Sequence, residues 1–138
     1  MRTSKHSALL VLVVALLALS GCGDSAGRVR GKVSEGGQPV TIPAQAGVTF
    51  YLLGPDGKPD PARSYSSTIN QDGSFEVVAS GGELPPGNYL VAFDLAAVKE
   101  AKTGLAKYKT QFVYPNSPLR REVKPGQNEI LIDVLKPQ

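Results

Sequence analysis

Hydrophobic and polar positions follow two different rhythms along this chain. Residues 8–19 are apolar without interruption. From residue 28 onward, apolar residues instead recur at every second position, in short runs separated by glycine and proline. Period-2 alternation predicts half-buried strands. Val29, Gly31 and Val33 fall on one face of the first run, with Arg28, Arg30 and Lys32 on the other. Val48, Phe50 and Leu52 face inward in the second. A polar third run covers residues 64–69, and a fourth, residues 74–78, turns Phe75 and Val77 inward. Tyr89, Val91 and Phe93 mark a fifth, residues 119–123 a sixth, and Ile130, Ile132 and Val134 a last run. The last run is expected to lie inside a sheet and hold the end of the chain.

The breaks between runs have turn chemistry. Gly36-Gly37-Gln38-Pro39, Gly54-Pro55-Asp56-Gly57 and Lys124-Pro125-Gly126-Gln127 combine preset φ at proline with glycine's access to positive φ. Asn70-Gln71-Asp72-Gly73 is a hairpin signal. Asp56 and Asp60 belong to a turn rather than a calcium loop, since Pro59 intervenes and the spacing is not that of an EF-hand. Residues 95–109 depart from the pattern: Leu95, Val98, Ala101 and Leu105 recur at helical spacing, which fits a short helix near 95–106 or an irregular crossover. Seven strands joined by turns predict an all-β fold, an antiparallel two-sheet β-sandwich.

The uninterrupted apolar run has another meaning. Arg2 and Lys5 precede it, and Leu19-Ser20-Gly21-Cys22 follows. This is the layout of a secretory signal, and its twelve apolar residues fall short of the roughly 20 that span a bilayer. Leu19, Ser20, Gly21 and Cys22 match a bacterial lipobox: an aliphatic residue, two small ones, and the thiol that takes a thioether-linked diacylglycerol. Several acyl chains, at about 0.8 kcal/mol per buried methylene, make a stable anchor. The expected organisation is a signal peptide over residues 1–21, a lipidated Cys22 with a short tether over 22–27, and a sandwich over 28–138. The location is then the cell envelope, on a membrane facing the periplasm or exterior.

Composition narrows the chemistry. The chain has 15 basic and 12 acidic residues, but Arg2 and Lys5 leave with the signal, so the remainder is near neutral and carries no basic stripe for nucleic acid. Cys22 is the only cysteine and His6 the only histidine. The mature domain thus folds without disulfides and lacks the residues of histidine-dependent zinc sites, Cys-His dyads and Ser-His-Asp triads. No glycine-rich phosphate loop follows a strand and opens a helix. No catalytic residue, cofactor or metal is expected.

Three stretches occur in a suggestive order: Val29-Arg30-Gly31-Lys32-Val33, Asp72-Gly73-Ser74-Phe75, and Leu84-Pro85-Pro86-Gly87-Asn88-Tyr89. Together they resemble the V-x-G-x-V, D-G-x-F and L-P-x-G-x-Y pattern of carboxypeptidase regulatory-like domains, over nearly all of residues 28–135. The resemblance implies a transthyretin-like (prealbumin-like) sandwich and an extracellular accessory role. The peptidases that carry such domains keep their zinc and catalytic residues in a different domain. The hydroxyisourate hydrolases of the same fold use histidines, of which none is expected after removal of the signal with His6, and a terminal Tyr-Arg-Gly-Ser run, where this chain has Leu135-Lys136-Pro137-Gln138.

The expected function is therefore a membrane-anchored, non-catalytic accessory module that docks an envelope protein through a sheet edge or residues 95–109. The alternative is a module for a glycan or small ligand, with Tyr51, Tyr65, Tyr108 and Tyr114 as candidate contacts. Tyr51 is out of phase with Phe50 and so should face away from the core.

Overall fold

Each alternating run buries one face only, so the strands must pair into sheets whose apolar faces meet. The computed structural model, which describes residues 27–82, 84–98 and 102–137, has this arrangement. The strands are β1 (Arg28–Glu35), β2 (Gln38–Pro39), β3 (Gly47–Leu53), β4 (Pro59–Thr68), β5 (Ser74–Val77), β6 (Gly87–Asp94), β7 (Arg120–Val123) and β8 (Gln127–Asp133). The apolar run, Leu19, Ser20, Gly21 and Cys22 lie outside the described residues.

Two four-stranded sheets form an all-β sandwich. In the first, β1 is central. β8 runs parallel along one edge of β1 from Arg28 to Ser34, which leaves β5 and the two-residue β2 to share the other edge. The second sheet has the order β4-β3-β6-β7 and is antiparallel throughout. Between the sheets lie Val29, Val33, Val48, Phe50, Phe75, Val77, Tyr89, Val91, Phe93, Ile130 and Ile132, all buried. These are the residues that the alternation turns inward. Each large side chain so buried contributes roughly 1.5–3 kcal/mol. On the outer face of the first sheet, Arg28 and Arg30 both reach Glu76, at 3.3 and 3.4 Å.

The departures from expectation have local causes. β4 begins at Pro59 rather than at 64, because an edge strand can hold Pro59 and Pro61 without losing ladder bonds. The last strand is not interior: among the described residues β8 pairs with β1 alone. Its pairing with β1 is the one parallel strand pair among the described residues. The turn expected at residues 36–39 is present, and its Gln38 and Pro39 pair back onto β1, with Glu35 opposite Gln38, as one strand more than the seven expected. Helical spacing over 95–109 becomes a turn at 95–98, closed by Val98 N–H on the Leu95 carbonyl at 3.0 Å, and a 3₁₀ helix at Gly104–Tyr108. That helix caps the sandwich rather than projecting from it. Leu105 and Ala106 are buried, and Leu105 N–H donates to the Thr41 carbonyl at 2.9 Å. The Lys107 ammonium and Tyr108 hydroxyl both donate to Glu35 Oε1, at 2.5 and 2.6 Å.

The sandwich has two distinct ends. At one, Gly27 exchanges backbone hydrogen bonds with Leu84 at 2.5 and 2.6 Å, and Arg28 N–H donates to the Gly126 carbonyl at 2.9 Å. At the other, Gly36 N–H donates to Asp133 Oδ1 at 2.8 Å and Val33 N–H to Gly73 O at 2.9 Å. The turn that carries Gly73 follows directly on Thr68, whose register partner is Gly47, itself opposite Asp94. Gly47, Thr68 and Asp94 therefore lie at the end away from Gly27. The eight residues of β1, at about 3.3 Å each, put roughly 25 Å between the ends.

Candidate functional site

The outward face of the second sheet follows from register. In β3 the outward positions are Gly47, Thr49 and Tyr51. Their partners are Thr68, Ser66 and Ser64 in β4, and Asp94, Ala92 and Leu90 in β6. Thr49 Oγ1 and Ser66 Oγ share a 2.8 Å hydrogen bond across the strands. This face is therefore a hydroxyl row, ending in a tyrosine toward the Gly27 end and in a carboxylate toward the far end.

A loop folds onto this face. Residues 112–119 run along the β6 edge beyond β7: Phe93 N–H donates to the Phe112 carbonyl at 2.8 Å and Val91 N–H to the Leu119 carbonyl at 3.1 Å. Ser117, buried, donates its hydroxyl to the Val91 carbonyl at 2.5 Å. The loop brings Tyr114 against Tyr51, with ring centroids 4.4 Å apart and planes tilted by 33°. Both residues are half-buried. Burial pushes the Tyr51 hydroxyl up from its ordinary pKa, and Tyr114 beside it pushes in the same direction.

Two shallow hollows flank the row. One, of about 140 Å³, is lined by Thr49, Tyr51, Ala92, Phe93, Asp94, Val113 and Tyr114. The other, of about 320 Å³, is lined by Gln45, Ala46, Gly47, Thr49, Ser66, Ser67, Thr68 and Asp94. They meet at Thr49 and Asp94, and no lysine or arginine is among these residues. Gln45 holds φ at 65°, a value uncommon outside glycine.

Of the four tyrosines singled out in the sequence, the structure brings together Tyr51 and Tyr114. Tyr65 turns to the core side of β4 and packs edge-on to Tyr89, centroids 6.2 Å apart. Tyr108 lies on Phe112 at 5.7 Å, with its hydroxyl on Glu35. Thr49, Ser66, Asp94 and Gln45 carried no sequence signal of their own. Asp56 and Asp60 each accept a backbone N–H two residues on, at 3.1 and 2.9 Å, and Asp60 also takes Arg63 at 2.7 Å. Among the described residues, no three His, Cys, Asp or Glu side chains cluster as metal ligands would.

Compared with family models, with curated proteins and with solved structures, the chain matches none.

Proposed function

We propose that this chain is a lipid-anchored accessory protein of the cell envelope, whose non-catalytic sandwich serves as a protein-interaction module. The observation that carries the reading is the position of Gly27. The chain enters the fold at one end, five residues after Cys22, so an anchor on Cys22 would hold that end at the membrane and leave the opposite end and both sheet edges presented to partners. The open edge of β8 supports a docking role. It has no strand partner among the described residues, and beside it Leu131 stands 76 % exposed on an otherwise polar face. An unpaired strand edge is a ready template for an extended segment of another protein. The 3₁₀ segment supports docking less well, because it is packed into the end of the sandwich.

The resemblance to carboxypeptidase regulatory-like domains is part of this proposal, and the placement of its motifs supports it. Val29-Arg30-Gly31-Lys32-Val33 lies in β1. Asp72-Gly73 makes the turn into β5, where Phe75 is buried. Leu84-Pro85 leads into β6, where the Tyr89 hydroxyl donates to the Pro85 carbonyl at 2.6 Å.

Two experiments test the proposal. Replacing Cys22→Ala should move the protein from the membrane to the soluble fraction; retention in the membrane sinks the anchor. In-cell crosslinking of the full chain should capture one dominant envelope protein, and Leu131→Asp should abolish that capture. Equal capture by this variant removes β8 as the docking edge.

A further inference from the structure

We infer that the outer face of the second sheet is a binding site for a neutral saccharide, centred on the Tyr51–Tyr114 pair and the hydroxyl row beside it. This goes beyond the docking role and uses a different sheet from β8. Sugar rings have two kinds of surface: C–H faces that pack on aromatic rings, and hydroxyls that need both donors and acceptors. The face supplies both. Tyr51 and Tyr114 form a half-buried aromatic patch that still reaches the surface, held in place by ring contact at 4.4 Å and by the loop's hydrogen bonds to β6. Thr49 and Ser66 are hydroxyls that donate and accept, already oriented by their mutual bond. Asp94 is an acceptor able to take two sugar hydroxyls, and these charge-assisted bonds are the stronger kind. Gln45, stationed at the far hollow by its positive φ, adds an amide with both functions.

Charge sets the ligand class. Among the described residues, Asp94 is the one ionised side chain lining the two hollows, and no lysine or arginine lines either. An anionic glycan would meet repulsion without a compensating arginine or lysine, so an uncharged sugar chain is favoured. A protein partner fits less well: interface cores are apolar and aromatic, whereas this row is hydroxylic, with Ser64, Ser66, Thr68 and Asp94 exposed around a buried Thr49. The continuity of the two hollows through Thr49 and Asp94 suits a linear chain lying along β3, with one sugar against the tyrosines and the next over the hydroxyls.

The test is a titration of the ¹⁵N-labelled full chain, in detergent micelles, with linear hexasaccharides of glucose, xylose and N-acetylglucosamine, and with oligogalacturonate as the anionic comparison. The expected result is saturable amide shifts at Gly47, Thr49, Ser66 and Asp94 with at least one neutral sugar and weaker shifts with galacturonate. Tyr51→Ala should then lower affinity by about tenfold or more, and Asp94→Asn should lower it severalfold. Asp94 is exposed, so its variant keeps the test readable if Tyr51→Ala misfolds. The inference is overturned by no saturable shift with any neutral sugar, by shifts clustered elsewhere, by a preference for galacturonate, or by unchanged affinity in a folded variant. A crosslinked protein whose footprint covers Thr49 and Tyr51, without sugar-induced shifts, overturns it in favour of protein docking. None of these outcomes depends on Cys22, so the anchor and the saccharide site fail separately.

Discussion

The ring of Phe75 occupies the space where a side chain on Gly31 would stand. The two residues are cross-strand partners, and a Cβ built on Gly31 would lie 2.1 Å from Phe75 Cζ and 2.6 Å from the Ile130 carbonyl oxygen. The glycine at the middle of β1 is thus required by contact, not by backbone conformation. Gly31→Ala should destabilise the domain by about 1–3 kcal/mol, read as a lower urea midpoint with unchanged slope. Phe75→Leu in the same chain should recover part of that loss, because a shorter side chain vacates the Cζ position. Full additivity of the two changes would show that the contact does not set the cost.

Tyr89 makes an alkaline prediction. It is fully buried, its hydroxyl donates to the Pro85 carbonyl, and burial, with Tyr65 next in effect, pushes its pKa from 10 up to about 12. A raised folded pKa contributes stability that is complete below the unfolded value and is lost as pH rises through the folded one. Unfolding free energy should therefore fall between pH 10 and about 12 by roughly 2–3 kcal/mol, since each tenfold change in acidity is worth about 1.4 kcal/mol. Tyr89→Phe should flatten that window and cost about 1 kcal/mol at neutral pH for the lost hydrogen bond.

Glu35 makes the acid counterpart. The bonds from Lys107 and then Tyr108 hold its carboxyl below the ordinary value of 4.5. A depressed folded pKa contributes stability that is present above the unfolded value and is lost as pH falls through the folded one. Hydrogen-exchange protection at the Leu105 amide, which bonds Thr41, should drop as pH falls below about 4.5 relative to amides in β3. In Glu35→Gln that extra acid step should be missing.

Leu131 offers a contrast to these structural positions. Standing 76 % exposed on β8, it contributes little to the core. Leu131→Asp should leave unfolding free energy within about 0.5 kcal/mol of the parent, while removing the crosslinked partner. A larger loss of stability would mean that Leu131 is packed in solution.

Side-chain phase was readable in the sequence wherever one face of a strand is buried, since a slip of one residue would reverse every side chain. This is why Phe50, Phe75, Tyr89 and Ile132 lie inward as the alternation requires, and why Tyr51 lies outward. Partner choice was not readable. Nothing local to residues 127–133 says that they lie beside β1 in parallel, because that pairing is decided by how the whole chain packs. The same limit applied to the tyrosines. Tyr65 is drawn inward by Tyr89, and Tyr108 by a 3₁₀ segment whose seat depends on Thr41 and Glu35. The joining of Tyr114 to Tyr51 required the path of residues 112–119 along β6, which leaves no periodic trace in the sequence.

The parallel alliance of β1 with β8 also governs the order in which the domain can be completed. Of the strands among the described residues, β1 is the first to be synthesised and β8 the last, so Gly31 meets Ile130 only after β2 to β7 have been made. Until then one flank of β1 stays bare, while β3 and β4, neighbours in sequence, can already pair and β6 can join β3. Contacts of such long range close slowly, since loop entropy must be spent before they return anything. The pairing of β8 with β1 is thus a late clasp on the first sheet, made after β2 and β5 are already available to its other edge.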